Sequence, residues 1–205
     1  MWTLASALLL CLPGLLAPPR HLRVDITVQG ASAPPALVAA AIAEAADIWV
    51  AYDVDIRMSD ANDGAHDRDV SLVVTLAPVS RRKETGALGS IIFSGDAPEP
   101  LIKLYPEAAS ALIAAVVSAR RDNLWPAAPG DRVMARVLGR ALAHEVGHFL
   151  LRSKSHSAAG LMRADQIGSD LMAPDHHGFA LSVDEVRRLR SSLPASATLH
   201  PAAAG

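Results

Sequence analysis

The stretch "LAHEVGHFLLRSKSHSAAGLM", residues 142–162, carries three histidines, one glutamate and one methionine in a chain of 205 residues that has 8 histidines in all. The run leading into it, from Asp131 as the expected N-cap, sets Val133, Val137, Leu138, Ala141 and Leu142 at helical spacing. His144 and His148 are therefore one turn apart on one helix, and their imidazoles leave the same face. Two such imidazoles can meet one metal ion at bond lengths of about 2.0–2.1 Å without bending the helix. Glu145 sits beside His144, too close in angle to be a third ligand on that face, but it can take a proton from a metal-activated water. Gly147 leaves one flank of the helix bare, so another segment can approach closely there. The plainer alternative is an amphipathic helix whose polar face happens to hold these residues; the further histidines downstream weigh against it.

A catalytic metal needs a third protein ligand and one open position. His156 is the leading candidate, because the intervening "FLLRSKS" must end the helix and turn back. His176, His177, Asp165, Asp170 and Glu185 stay open as alternatives at this stage.

Outward from this stretch, the chain reads as a mixed α/β (α+β) domain. "HLRVDITVQ" alternates, with Leu22, Val24, Ile26 and Val28 on one face, and predicts a strand. "PPALVAAAIAEAADIWVAY" predicts a helix opening near Pro35. "DVDIRM", "VSLVVTLAP", "GALGSIIFS" and "PLIKLYP" predict four more strands. "SDANDGAHDRD" reads as a loop and "PEAASALIAAVVSARR" as a second helix before the one that carries His144. After Ser153 the pattern is mostly irregular until "SVDEVRRLRSSL", a helix with Ser182 and Glu185 spaced as a capping box. Trp49 and Trp125 are expected in the core, and His21, His66 and His200 carry no pattern.

Composition bounds the function. With 51% apolar and 20% charged residues and a formal charge of −2, the chain offers no basic stripe to nucleic acid, and Arg81–Lys83 reads as a solvated turn. "WTLASALLLCLPGLLA" is an uncharged apolar run of signal-peptide length. Residues 1–19 are therefore expected to be a signal peptide and the protein to be secreted or periplasmic, with membrane attachment only if that segment stays uncleaved. Cys11, the single cysteine, lies inside that run, which excludes disulfides, zinc-thiolate sites and a cysteine nucleophile from the mature chain.

On these residues the chain resembles the metzincin clan of zinc metallopeptidases, the matrixins most. Their pattern is H-E-x-x-H-x-x-G-x-x-H, then Ser, then a methionine-containing turn beneath the metal. Here it is met by His144-Glu145-x-x-His148, by His156 followed by Ser157, and by Met162 in "AAGLM". Met172, in "SDLMAP", is a second candidate for the turn methionine. The family's glycine position holds Leu151 and its third-ligand position Lys154, so His156 ligates only through a turn two residues longer, with the helix running on past Leu151. "TGALGSIIF" is similar to the family's substrate-binding edge strand, and "LSVDEVRRLRSSL" to its closing helix. The resemblance implies Zn2+ on His144, His148 and His156, Glu145 as general base, and peptide bonds as substrate. It also implies a protein or peptide substrate bound as an extended strand along Gly86–Phe93. One metallopeptidase domain over 20–205 follows, with a mixed twisted sheet and a long active-site helix. Its upper subdomain covers 20–152, its small, mostly irregular lower subdomain 153–193, and a loose tail 194–205; a monomer is expected. The competing functions are a non-catalytic zinc-binding or adhesion module, and a zincin with a carboxylate as third ligand.

Overall fold

The computed structural model describes residues 21–30, 33–59, 69–78, 86–119 and 130–192. The N-terminal apolar run with Cys11, the Arg81–Lys83 turn, Trp125 and the Ala/Pro-rich tail lie outside these residues. The chain is mixed α/β. Its elements run β1 (Leu22–Gln29), α1 (Pro35–Trp49), β2 (Val54–Met58), β3 (Val70–Leu76), β4 (Gly89–Ser94), β5 (Ala97–Leu104), α2 (Pro106–Ala119), α3 (Asp131–Leu151), α4 (Gly168–Met172) and α5 (Val183–Ser192).

Five strands form one sheet in the order β2-β1-β3-β5-β4. All pairings are parallel except β4 with β5, so β4 is an antiparallel edge strand. Strands in a parallel sheet are covered on both faces, which explains why β1 buries Asp25 alongside Val24 and Ile26. That carboxylate is held by Arg23 Nε at 3.0 Å. β5 starts at Ala97, earlier than "PLIKLYP" suggests, because the turn at Gly95 (φ 62°) is tight enough for Ser94 to face Ala97. Pro98 and Pro100 are tolerated there because β3 joins β5 only from Leu101 on.

One buried cluster extends from Leu22 to Leu189 and includes Val24, Ile26, Leu72, Ile102, Leu142 and Val146. α1 packs its Val38, Ala41, Ile42, Ala45, Ile48 and Trp49 face inward. Pro35 suits its first turn, where a missing N–H costs nothing. Trp49, fully buried, donates its indole N–H to the Ala143 carbonyl at 3.0 Å and so fixes α3 one residue before His144.

α3 departs from expectation at both ends. Its N-cap is Gly130, with no side-chain hydrogen bond, and Asp131 is the first helical residue. The carboxylate still favours that end through the helix dipole rather than as a cap. The helix runs through Leu151 and stops at Arg152, which is left-handed (φ 48°, ψ 44°), while its N–H and that of Ser153 return to carbonyls of the last turn. That positive φ is adopted by a residue with a β-carbon, at a cost of about 1–2 kcal/mol. Arg152→Gly is expected to stabilise the fold by about 0.5–1 kcal/mol, net of the extra freedom of glycine in the unfolded chain. A urea midpoint that falls instead would show that the Arg152 side chain contributes more than its backbone costs.

Candidate metal centre

α3 presents His144 and His148 one turn apart, and the loop after Arg152 brings His156 back to them. His148 Nε2 lies 3.0 Å from His144 Nε2 and 3.2 Å from His156 Nε2. Among the described residues these three form the group able to hold a metal ion, with their ligand atoms all within 4.8 Å of one another. Two ligands of a tetrahedral ion at about 2.0–2.1 Å are separated by about 3.3 Å, close to both spacings.

The protonation pattern fits a cation better than it fits hydrogen bonds. His144 Nδ1 lies 2.8 Å from the Leu161 carbonyl, and His148 Nδ1 lies 2.6 Å from the Ser153 carbonyl. A carbonyl only accepts, so both Nδ1 atoms carry the hydrogen. In the neutral rings both Nε2 lone pairs then face each other with no proton between them. A metal ion resolves that repulsion, and the carbonyls orient the ligands from behind.

Burial, above all, lowers the pKa of His144 to about 4, with the neighbouring His148 and His156 adding to the shift and the Leu161 carbonyl opposing it. His148 is lowered too, again chiefly by burial. Both are neutral donors at pH 7, so binding a metal displaces no proton from them. A base with a lowered pKa leaves the unfolded chain binding more protons, so stability rises with pH across the window from about 4 to 6.5 for His144. Metal-free protein should therefore lose urea resistance as pH falls from 6.5 towards 4. The slope should flatten in His144→Asn; an equal slope in that variant would remove this explanation.

The 157–163 turn packs against α3 between His144 and His148. Met162 is 1% exposed, and a β-carbon at Gly147 would lie 2.3 Å from its Sδ. Glycine between the two helix ligands is what admits the methionine. Met172 is equally buried but sits on α4, where its carbonyl accepts from Arg136 Nη1 at 2.8 Å. The turn itself is closed by Ser157 N–H to the Met162 carbonyl at 2.9 Å. Gly160 (φ 83°) has no room for a side chain, since a β-carbon there would meet the Ala180 carbonyl at 2.2 Å.

Glu185, Tyr52 and Gln166 hold this turn, and sequence alone does not single them out for it. The Ser157 hydroxyl donates to Glu185 Oε1, and Glu185 Oε2 accepts from the Ser182 N–H at 2.7 Å. The capping box of α5 thereby clamps the residue after His156. Tyr52 Oη accepts the Leu181 N–H at 2.7 Å just ahead of it. Gln166 donates its amide to the Gly160, Leu161 and Arg163 carbonyls, and so steadies the oxygen that orients His144. Ser157 was visible as the serine following a histidine; nothing in the sequence marks Gln166.

Glu145 is 7% exposed and lies outside the ligand group. It lines a cleft of about 550 Å3 together with all three histidines, Lys154 and the β4 edge. A β-carbon at Gly89 would lie 3.0 Å from Glu145 Cγ, so glycine lets the edge strand close against this carboxylate. Lys154 turns away from the metal position: its Nζ donates to the Gly95 carbonyl at 2.6 Å. The other ligand candidates are placed elsewhere. His176 Nε2 lies 3.1 Å from Glu44 Oε1, Asp170 Oδ2 3.6 Å from Arg163 Nη2, and Glu185 is the clamp just described. The Asp175 carboxylate accepts the His177 N–H, and Asp165 lines the cleft without joining the group.

Compared with known proteins, the chain matches no protein-family model and no curated relative.

Proposed function

We propose that the protein is an exported zinc-dependent endopeptidase of metzincin type, acting as a monomer on extended peptide segments. The observation that carries this is the convergence of the His144, His148 and His156 Nε2 atoms in a cleft that Glu145 also lines. Three imidazoles with an open fourth side are the donor set of a catalytic rather than a closed structural zinc. Zinc bound there supplies Lewis acidity, polarising a carbonyl and making water acidic enough to ionise near pH 7.

The chain's own residues supply the rest. Glu145, a carboxylate outside the ligand set, accepts the proton of the attacking water and passes it to the leaving amine. The Leu161 and Ser153 carbonyls keep the two helix histidines in the tautomer that offers Nε2. Met162 and Gly147 keep the underside of the site apolar and closely packed. β4, at the sheet edge, has backbone groups on its outer side that pair with a substrate strand and hold it along the cleft.

The test is metal analysis of purified protein joined to cleavage of a broad peptide library. About one equivalent of zinc, cleavage abolished by a chelator and restored by added zinc, is the expected result. Bound zinc with no cleavage at all would instead support a non-catalytic metal-binding module.

A further inference from the structure

The cleft has a cation at one end that the chemistry above does not use. Lys154 lines it beside Phe93, with Nζ 5.3 Å from the centre of the Phe93 ring. The hydrogen bond to the Gly95 carbonyl fixes where this ammonium sits without cancelling its charge. Among the described residues its carboxylate neighbour is Asp96, 3.6 Å away and fully exposed, a pairing worth little in water. Lys154 keeps a side-chain exposure of 55%, so a ligand can reach it. Among the described residues, the carboxylates lining the cleft are Glu145, packed against Gly89, and Asp165, next to Gln166.

β4 sets the scale. Gly89 abuts Glu145, and Phe93 abuts Lys154, four residues or about 13 Å further along the strand. A substrate strand on this edge is more stable antiparallel. Its residues before the scissile bond then run towards Phe93. We propose that Lys154 is a specificity-determining residue that selects peptides carrying a carboxylate side chain two to four residues N-terminal to the cleaved bond. This rests on the peptidase reading given above. The ammonium meets the substrate carboxylate over the Phe93 ring, in a cleft whose walls screen the pair less than open water does.

The experiment profiles cleavage sites of the zinc-loaded full chain on a peptide library. It then measures kcat/KM for paired peptides with Glu or Gln at the preferred position, in wild type, Lys154→Met and Lys154→Glu. Because each enzyme is read as a ratio between two peptides, a partly folded variant still reports. Wild type should favour the Glu peptide about fivefold at low salt, and less in high salt. Lys154→Met, which keeps the apolar stem over Phe93, should bring the ratio near one, and Lys154→Glu should take it below one. Cleavage with no acidic preference, or a preference unchanged in both variants, overturns this inference alone. No cleavage of any peptide overturns the peptidase reading and this inference with it.

Discussion

Glu145→Ala is expected to keep its zinc and lose turnover by about 10²- to 10⁴-fold, the usual cost of removing a general base. Zinc should stay because the ligand group consists of His144, His148 and His156, with Glu145 outside it. Turnover should go because Glu145, the proposed general base, lines the cleft beside that group and is held close to β4 at Gly89. Glu145→Gln separates chemistry from packing, since it keeps the shape and removes the base. Stoichiometric zinc with kcat lowered in both variants supports the assignment. Cleavage at the wild-type rate by either variant sinks it.

His156→Ala should weaken zinc binding by more than about a hundredfold, beyond the 10- to 100-fold that loss of an outer-shell partner costs. The fold should survive, because His156 is exposed and the turn after it is held through Ser157, Glu185 and Met162. His176→Ala and His177→Ala should leave affinity nearly unchanged. His176 is engaged with Glu44, and neither histidine belongs to the ligand group. Competition against a zinc-binding dye gives all three values. Unchanged affinity in His156→Ala would remove the third ligand and the metzincin reading together.

Much of this was legible because it is local. The i, i+4 spacing of His144 and His148 needs only a helix, and α3 is apolar enough at the right positions to form one. The alternation in β1, the proline opening α1 and the Ser182–Glu185 capping box are equally short-range. What local pattern misses is set by distant partners. The return of His156 depends on Ser157 meeting Glu185, 28 residues further on. Arg140, buried at 1% exposure, reads as a polar residue on a helix, yet it joins α3 to Glu44 of α1 at 2.8 Å and to the carbonyls of Asp170 and Asp175. α4 is five residues long, too short to leave a period. The positive φ at Arg152 was invisible because nothing about arginine announces it; the turn follows from where the helix must stop.

An ammonium pointed at the three histidines would repel a metal, but that of Lys154 reaches the β4–β5 turn at Gly95 and leaves the metal position to His156.

Anomalous diffraction at the zinc edge, from crystals of zinc-loaded protein, tests most directly which three side chains hold the metal. One zinc is expected, with the Nε2 atoms of His144, His148 and His156 at about 2.0–2.1 Å and an open fourth position of a tetrahedron. Asp165, Asp170, Glu185, His176 or His177 in place of His156, or zinc bound away from α3, would contradict that arrangement.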